Sequence, residues 1–497
     1  MGDTRRDTHR GQESAAALLG ANTGLVAGLH PWNGPQAWIA YDQEVRRRLR
    51  SRSDGAPQSK RTEIRLCDPD GRIRASALAA WRLPTPELVV IRCADWVPAV
   101  RERARRVLGR LVAKNPEEVL VRLAPLVLHL GRREHGAWAR DQLEAALSGR
   151  YSLLAAWWRP GRASTTWSLN SLTARRRDAV LDRLRLGNDL PARRFAARLS
   201  VEGGRTGVRE LAARARVERD RVTSRIWTDG ALAALAAGGP DDAAIDELLA
   251  GKLPLVRASG LTALRAAGRA AEAADHLADR SGLVRARARS LVRQDGGDPY
   301  ALHRALVEDP ARVTPYAVAG FAECARREDA PLLRTLSAHP AGAVRAAAVA
   351  GLYLLEATDD ALLLPLLDDP SPAVAREAAR ALRFSIYALP TDRLQSRLVP
   401  GWPVHTRRAA YRLLLPRGGI TALRAAVALV RDEDPVLREA AARHVQLLCS
   451  RRGAFFLPKR DPEVAALLDR CEGVFDRFVM GGMRGRVGIP RAKSKRG

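Results

Sequence analysis

DDPSPAVAREAARALR, running from Asp368 to Arg383, returns with little change as DEDPVLREAAARHVQLL, from Asp432 to Leu448. Each copy is an acidic, proline-marked turn followed by a stretch rich in alanine and arginine. Stepping about 100° per residue from Val374 brings Val374, Ala378, Ala381 and Leu382 into one stripe, the core-facing side of an amphipathic helix. The aspartate and proline of the turn suit a helix start, one by accepting hydrogen bonds from free backbone N–H groups and the other by presetting φ.

The same template fits elsewhere in the chain, with anchors at Ile73, Val100, Val256, Val284, Val313, Val344, His405 and Leu437 beside Val374. From Val256 onward the gaps are 28, 29, 31, 30, 31 and 32 residues, which is a repeat period. Apolar partner segments such as DDALLLPLLDD and DAPLLRTLSAH lie between the anchors, so each unit reads helix, turn, helix. No such unit buries its apolar face alone, and stacking makes the core continuous. An all-α solenoid is expected over residues 67–458, with a degenerate stretch at 112–251.

These units resemble the HEAT repeats, in particular the short kind also found in phycobilisome lyases. That family places an aspartate in the turn and an arginine six residues later, and these residues form a ladder along the stack. Asp68 and Arg74, Asp95 and Arg101, Asp279 and Arg285, and Asp432 and Arg438 match the pair. Elsewhere it is partial: Asp369 is followed by Ala375, while Arg257 and Arg345 lack the acid. The resemblance implies a right-handed α-solenoid of helical hairpins. It also implies a non-enzymatic scaffold that binds a protein partner on an extended concave surface.

Residues 1–66 form an N-terminal extension with one predicted helix, PQAWIAYDQEVRRRLR, and a soft linker, SRSDGAPQSK. Residues 459–483 are expected to be a helical cap and 484–497 a basic disordered tail with six basic residues and no acid. Trp138, Trp157, Trp158, Trp167 and Trp227 cluster in the degenerate stretch. Large rings filling irregular gaps between helices explain them, with a ligand-stacking role as the alternative.

The 497 residues carry 83 basic and 55 acidic side chains, a formal net charge of +28. Such a balance attracts polyanions. Only six of the 83 are lysine, so the arginine and alanine excess also reads as genome composition. Candidate contacts for an acidic protein, or alternatively for nucleic acid or another polyanion, are the positions opposite the core: Arg265, Arg293, Arg376, Arg380, Arg383 and Arg407. Arg484 and Arg486 of the tail join them.

Catalytic signatures are missing: the chain has no H-E-x-x-H, no phosphate loop and no nucleophile elbow. Some HEAT-like proteins are alkylpurine DNA glycosylases, using an aspartate and aromatic residues on a basic face. Trp157, Trp158 and Asp178 supply those residue types, but nothing in the sequence places them together. His129 and His135 stand six apart, poor geometry for a shared metal. No enzyme activity, cofactor, metal, small-molecule substrate or membrane association is expected. The five scattered cysteines make no C-x-x-C pair and fit a reducing cytoplasm.

Overall fold

The computed structural model describes residues 2–20, 29, 33–51, 60–79, 85–148 and 172–490. Among them all regular structure is helical, with an isolated bridge at Glu472 and Phe475. The chain divides into two compact units, Met1–Ala267 and Gly268–Gly497. The repeat period gives no sign of this boundary.

The first unit contains α1 (Gly2–Gly20), α2 (Pro35–Arg50), α3 (Thr62–Leu66), α4 (Gly71–Ala77), α5 (Pro86–Arg92), α6 (Pro98–Lys114) and α7 (Pro116–Leu130). It continues with α8 (Ala137–Ser148), α9 (Ala174–Leu186), α10 (Leu190–Glu202), α11 (Val208–Val217), α12 (Arg221–Gly238), α13 (Asp242–Leu249) and α14 (Pro254–Ala266). The extension therefore holds α1 and α3 as well as the expected α2. Most of the linker lies outside the described residues.

The second unit contains α15 (Gly282–Gln294), α16 (Pro299–Glu308), α17 (Pro315–Ala322), α18 (Ala330–Leu336), α19 (Gly342–Leu354), α20 (Asp360–Leu366) and α21 (Pro372–Ala381). After these come α22 (Thr391–Gln395), α23 (Val404–Leu414), α24 (Gly419–Leu429), α25 (Pro435–Leu448), α26 (Pro462–Asp469) and α27 (Arg477–Arg486). Because α27 runs through Arg486, the tail expected from residue 484 begins inside a helix. Residues 491–497 lie outside the described set.

Helices pair in order along each unit. In the first, α3 packs on α4, α5 on α6, α9 on α10 and α11 on α12. In the second, α16 packs on α17, α18 on α19, α20 on α21, α22 on α23 and α24 on α25. The second helix of one pair also packs on that of the next: α17 on α19, α19 on α21 and α21 on α23. Gly351 permits the α17–α19 approach, since a Cβ there would lie 2.9 Å from the Ala322 Cβ.

Helix starts follow the turn chemistry. Proline opens α6, α14, α17, α21 and α25, where its missing N–H costs nothing. Asp70 and Asp434 cap α4 and α25 by accepting from the backbone N–H groups of Arg72 and Leu437.

The third residue of most second helices anchors the helix in the core, although Ile73 of α4 is only half-buried. Val100, Val256, Val284, Val344, Val374 and Leu437 hold that place and are buried. Two anchors read from the sequence are out of register. Val313 lies in the turn before α17, whose third residue is Ala317, and His405 is the second residue of α23, whose third is Thr406. Both Ala317 and Thr406 are fully buried.

Candidate functional site

Arginine one residue after the anchor reaches in two directions. Arg74 Nη1 donates to the carbonyls of Asp68 and Pro69 in its own turn, both at 2.8 Å. Its Nε and Nη2 donate at 2.9 and 2.8 Å to the carboxylate of Asp95, in the turn of the next unit. Arg345 repeats this with the carbonyls of His339 and Pro340 and the carboxylate of Asp369, and Arg407 with the Trp402 carbonyl and Asp432. Each acid also fixes its own turn, as Asp369 accepts from the Ser371 N–H at 2.7 Å. Burial would raise the Asp369 carboxyl, but the Arg345 and Ser371 hydrogen bonds outweigh it and hold the carboxyl below its ordinary range.

The rungs therefore join one helical hairpin to the next within each compact unit. Arg101, Arg285 and Arg438 do donate to the carbonyls of Asp95, Asp279 and Asp432 six residues earlier. For its carboxylate, Arg285 uses Glu323 at the end of α17, which also accepts from Arg289 at 2.7 Å. That substitution is forced, because the in-register positions of the next unit hold Arg312 and Val318. Between α17 and α19 the rung is lost on both sides, with Val318 for the arginine and His339 for the acid. His339 keeps the turn by accepting from the Ala341 N–H through Nδ1.

In the first unit the ladder extends onto α2. Arg92 donates to Asp42 at 2.6 Å and lies 3.4 Å from Asp95, while the guanidinium groups of Arg46 and Arg74 stack over Trp96 at 4.5 and 4.4 Å. Trp227 is buried with Arg185 and Arg214 over its ring, and Trp138 carries Arg105. Both tryptophans fill space between helices. Trp157, Trp158 and Trp167 lie outside the described residues.

Two of the candidate binding arginines are not surface groups. Arg407 is 5% exposed and forms the Asp432 rung, because the true anchor is Thr406 and a one-residue slip turns a helix position by about 100°. Arg484 is 7% exposed and paired with Asp469 and Glu472. Arg265, Arg293, Arg376, Arg380, Arg383 and Arg486 are exposed.

Correct register brings other arginines forward. The sixth residue after the anchor is Arg380 in α21, Arg412 in α23 and Arg443 in α25, all exposed and in one column. The helices are held side by side: α21 packs on α23, and α23 meets α25 through Arg408 to Asp434 at 2.7 Å and Tyr411 to His444 at 2.8 Å. Arg412 and Arg443 have no carboxylate partner among the described residues. The periodicity in the sequence held this column, hidden by the slip at His405.

Beside the column, the Tyr353 and Phe384 rings lie 5.8 Å apart and the Arg380 guanidinium sits 4.8 Å over Tyr353. Phe384 and Tyr387 are 82% and 78% exposed, too open to be core.

Titratable groups elsewhere are engaged in structure. A cleft of about 1140 Å³ in the first unit is lined by Trp38, His129 and Asp189 among others. There His129 bonds Gln36 at 2.9 Å, with its pKa lowered by burial and then by Arg133, and Asp189 caps Ala192. Asp178 pairs with Arg205, and His405 bonds the Asp369 carbonyl. The five thiols are free, and burial pushes Cys93 and Cys449 up to about 12, so they stay protonated at neutral pH. Among the described residues no group of acids, histidines and cysteines could hold a metal, and no helix is long and apolar enough to cross a membrane. No family model matches the chain, and no curated protein matches it.

Proposed function

We propose that the protein is a non-enzymatic binding scaffold of HEAT-like hairpins, a right-handed α-solenoid whose outward arginines dock an acidic protein partner. The observation that carries this reading is the column Arg380, Arg412 and Arg443 on successive second helices. Three cations at equivalent positions of successive second helices, two of them without a carboxylate partner among the described residues, complement a row of carboxylates. Arginine's planar fork suits that recognition. The free cysteines fit work in the reducing cytoplasm.

Nucleic acid is the rival partner, and salt titration separates the two. Arg412→Gln with Arg443→Gln should weaken binding of an acidic peptide about tenfold, as loss of two charge-assisted contacts implies. Duplex DNA should bind only through diffuse charge, with the same log-log salt slope in both proteins. A slope flattened by about 2 in the double variant, with peptide binding unchanged, would transfer the site to phosphate recognition.

A further inference from the structure

We infer that the corner formed by Tyr353, Phe384, Tyr387 and Arg380 is an anchor site for one bulky apolar or aromatic residue of that acidic partner. The partner is thus a two-part peptide: an anchor residue with a carboxylate run beside it. This rests on the reading of the arginine column as an acidic-protein site and specifies which acidic segments it takes.

Single exposed apolar residues are ordinary, but this is a cluster. Leu354 at the end of α19 is 58% exposed, and Phe384 and Tyr387 project from the turn after α21. Packing within the corner already orients part of it, since the Tyr353 ring contacts both the Phe384 ring and the Arg380 guanidinium. The Tyr353 and Phe384 rings therefore lose little freedom when a partner covers them, and aromatic and arginine side chains dominate the energy of protein interfaces. Arg380 belongs to both features: its guanidinium caps the Tyr353 ring and stands at the head of the column that Arg412 and Arg443 continue. An apolar residue at the corner sets where the acidic run begins, so the column is read in one direction. Duplex DNA, whose bases are stacked inside the helix, presents only its phosphate edge to such a corner.

The test uses the full chain and two labelled peptides, one with a phenylalanine followed by six acidic residues and one with alanine in its place. The phenylalanine peptide should bind about tenfold tighter to the unaltered protein, the scale of one aromatic anchor. With Phe384→Ala and Tyr387→Ala together the two peptides should bind alike, and circular dichroism should be unchanged because both side chains are exposed. Arg412→Gln with Arg443→Gln should weaken both peptides equally and keep their ratio. Equal affinity of the two peptides for the unaltered protein, or a ratio that survives the aromatic double variant, overturns the anchor site while leaving the acidic-partner reading intact. If neither peptide binds, both fall.

Discussion

Thr406 occupies the anchor place that valine or leucine fills in most hairpins, and its buried Oγ1 has no hydrogen-bond partner among the described residues. Valine has nearly the same shape without the stranded hydroxyl. Thr406→Val should stabilise the protein by about 1 kcal/mol, read as a higher urea midpoint at constant slope. His303 is a second residue whose surroundings run against its chemistry. It is fully buried with both ring nitrogens unpaired among the described residues, and burial first, then Arg289, lowers its pKa to about 4, with Glu323 opposing and Arg285 adding. The unfolded chain therefore binds the proton more readily. Stability is fully present above the ordinary histidine pKa, near 6.5, and is lost as pH falls toward 4. That loss should be about 2 kcal/mol after allowing for solvent screening, and His303→Leu should remove it from the pH profile of the urea midpoint.

At the level of the element, the rung between Arg74 and Asp95 is the most enclosed, with both side chains fully buried. Arg74→Met takes two hydrogen bonds from the buried Asp95 carboxylate, leaving it the Val97 N–H and the more distant Arg92, and removes the donor to two turn carbonyls; it should cost about 3–5 kcal/mol of stability, read from urea unfolding. Adding Asp95→Leu should recover part of that loss, because an apolar pair leaves no charge stranded. A lysine at 74 should not restore stability, since it cannot reach a carboxylate and two carbonyls with one planar fork. The residues of the ladder were legible in the sequence through the fixed six-residue spacing. Their connectivity was not, because that spacing ends on a carbonyl of the arginine's own turn. The carboxylate comes from Asp95, Asp369 or Asp432, which lie 21, 24 and 25 residues further on in the chain. Glu323 was beyond reach of the pattern, since it follows the last residue of α17 rather than standing in the turn that opens a second helix.

Across the whole molecule, the all-helical character and the pairing of helices follow from the period and the turn residues. Val313 falls four residues short of the true anchor Ala317 and His405 one short of Thr406, because the repeat length varies, and the second slip put Arg407 on the wrong face. The net charge of +28 also divides differently once contacts are known. Ion pairs and carbonyl bonds occupy Arg74, Arg92, Arg345, Arg407 and Arg484, leaving a smaller set of open arginines that includes Arg412 and Arg443. The missing rung between α17 and α19 has a thermal consequence. That junction closes on Ala322, Leu333 and Gly351, apolar contacts that weaken on cooling, whereas the Arg345 rung between α19 and α21 keeps its charges. Chilling should therefore loosen the first junction ahead of the second. Amide exchange in Ala317–Ala322, corrected for its intrinsic rate, should gain on exchange in Val374–Ala379 between 25 and about 5 °C. Equal protection at both temperatures would mean that tight packing alone holds the seam through the cold.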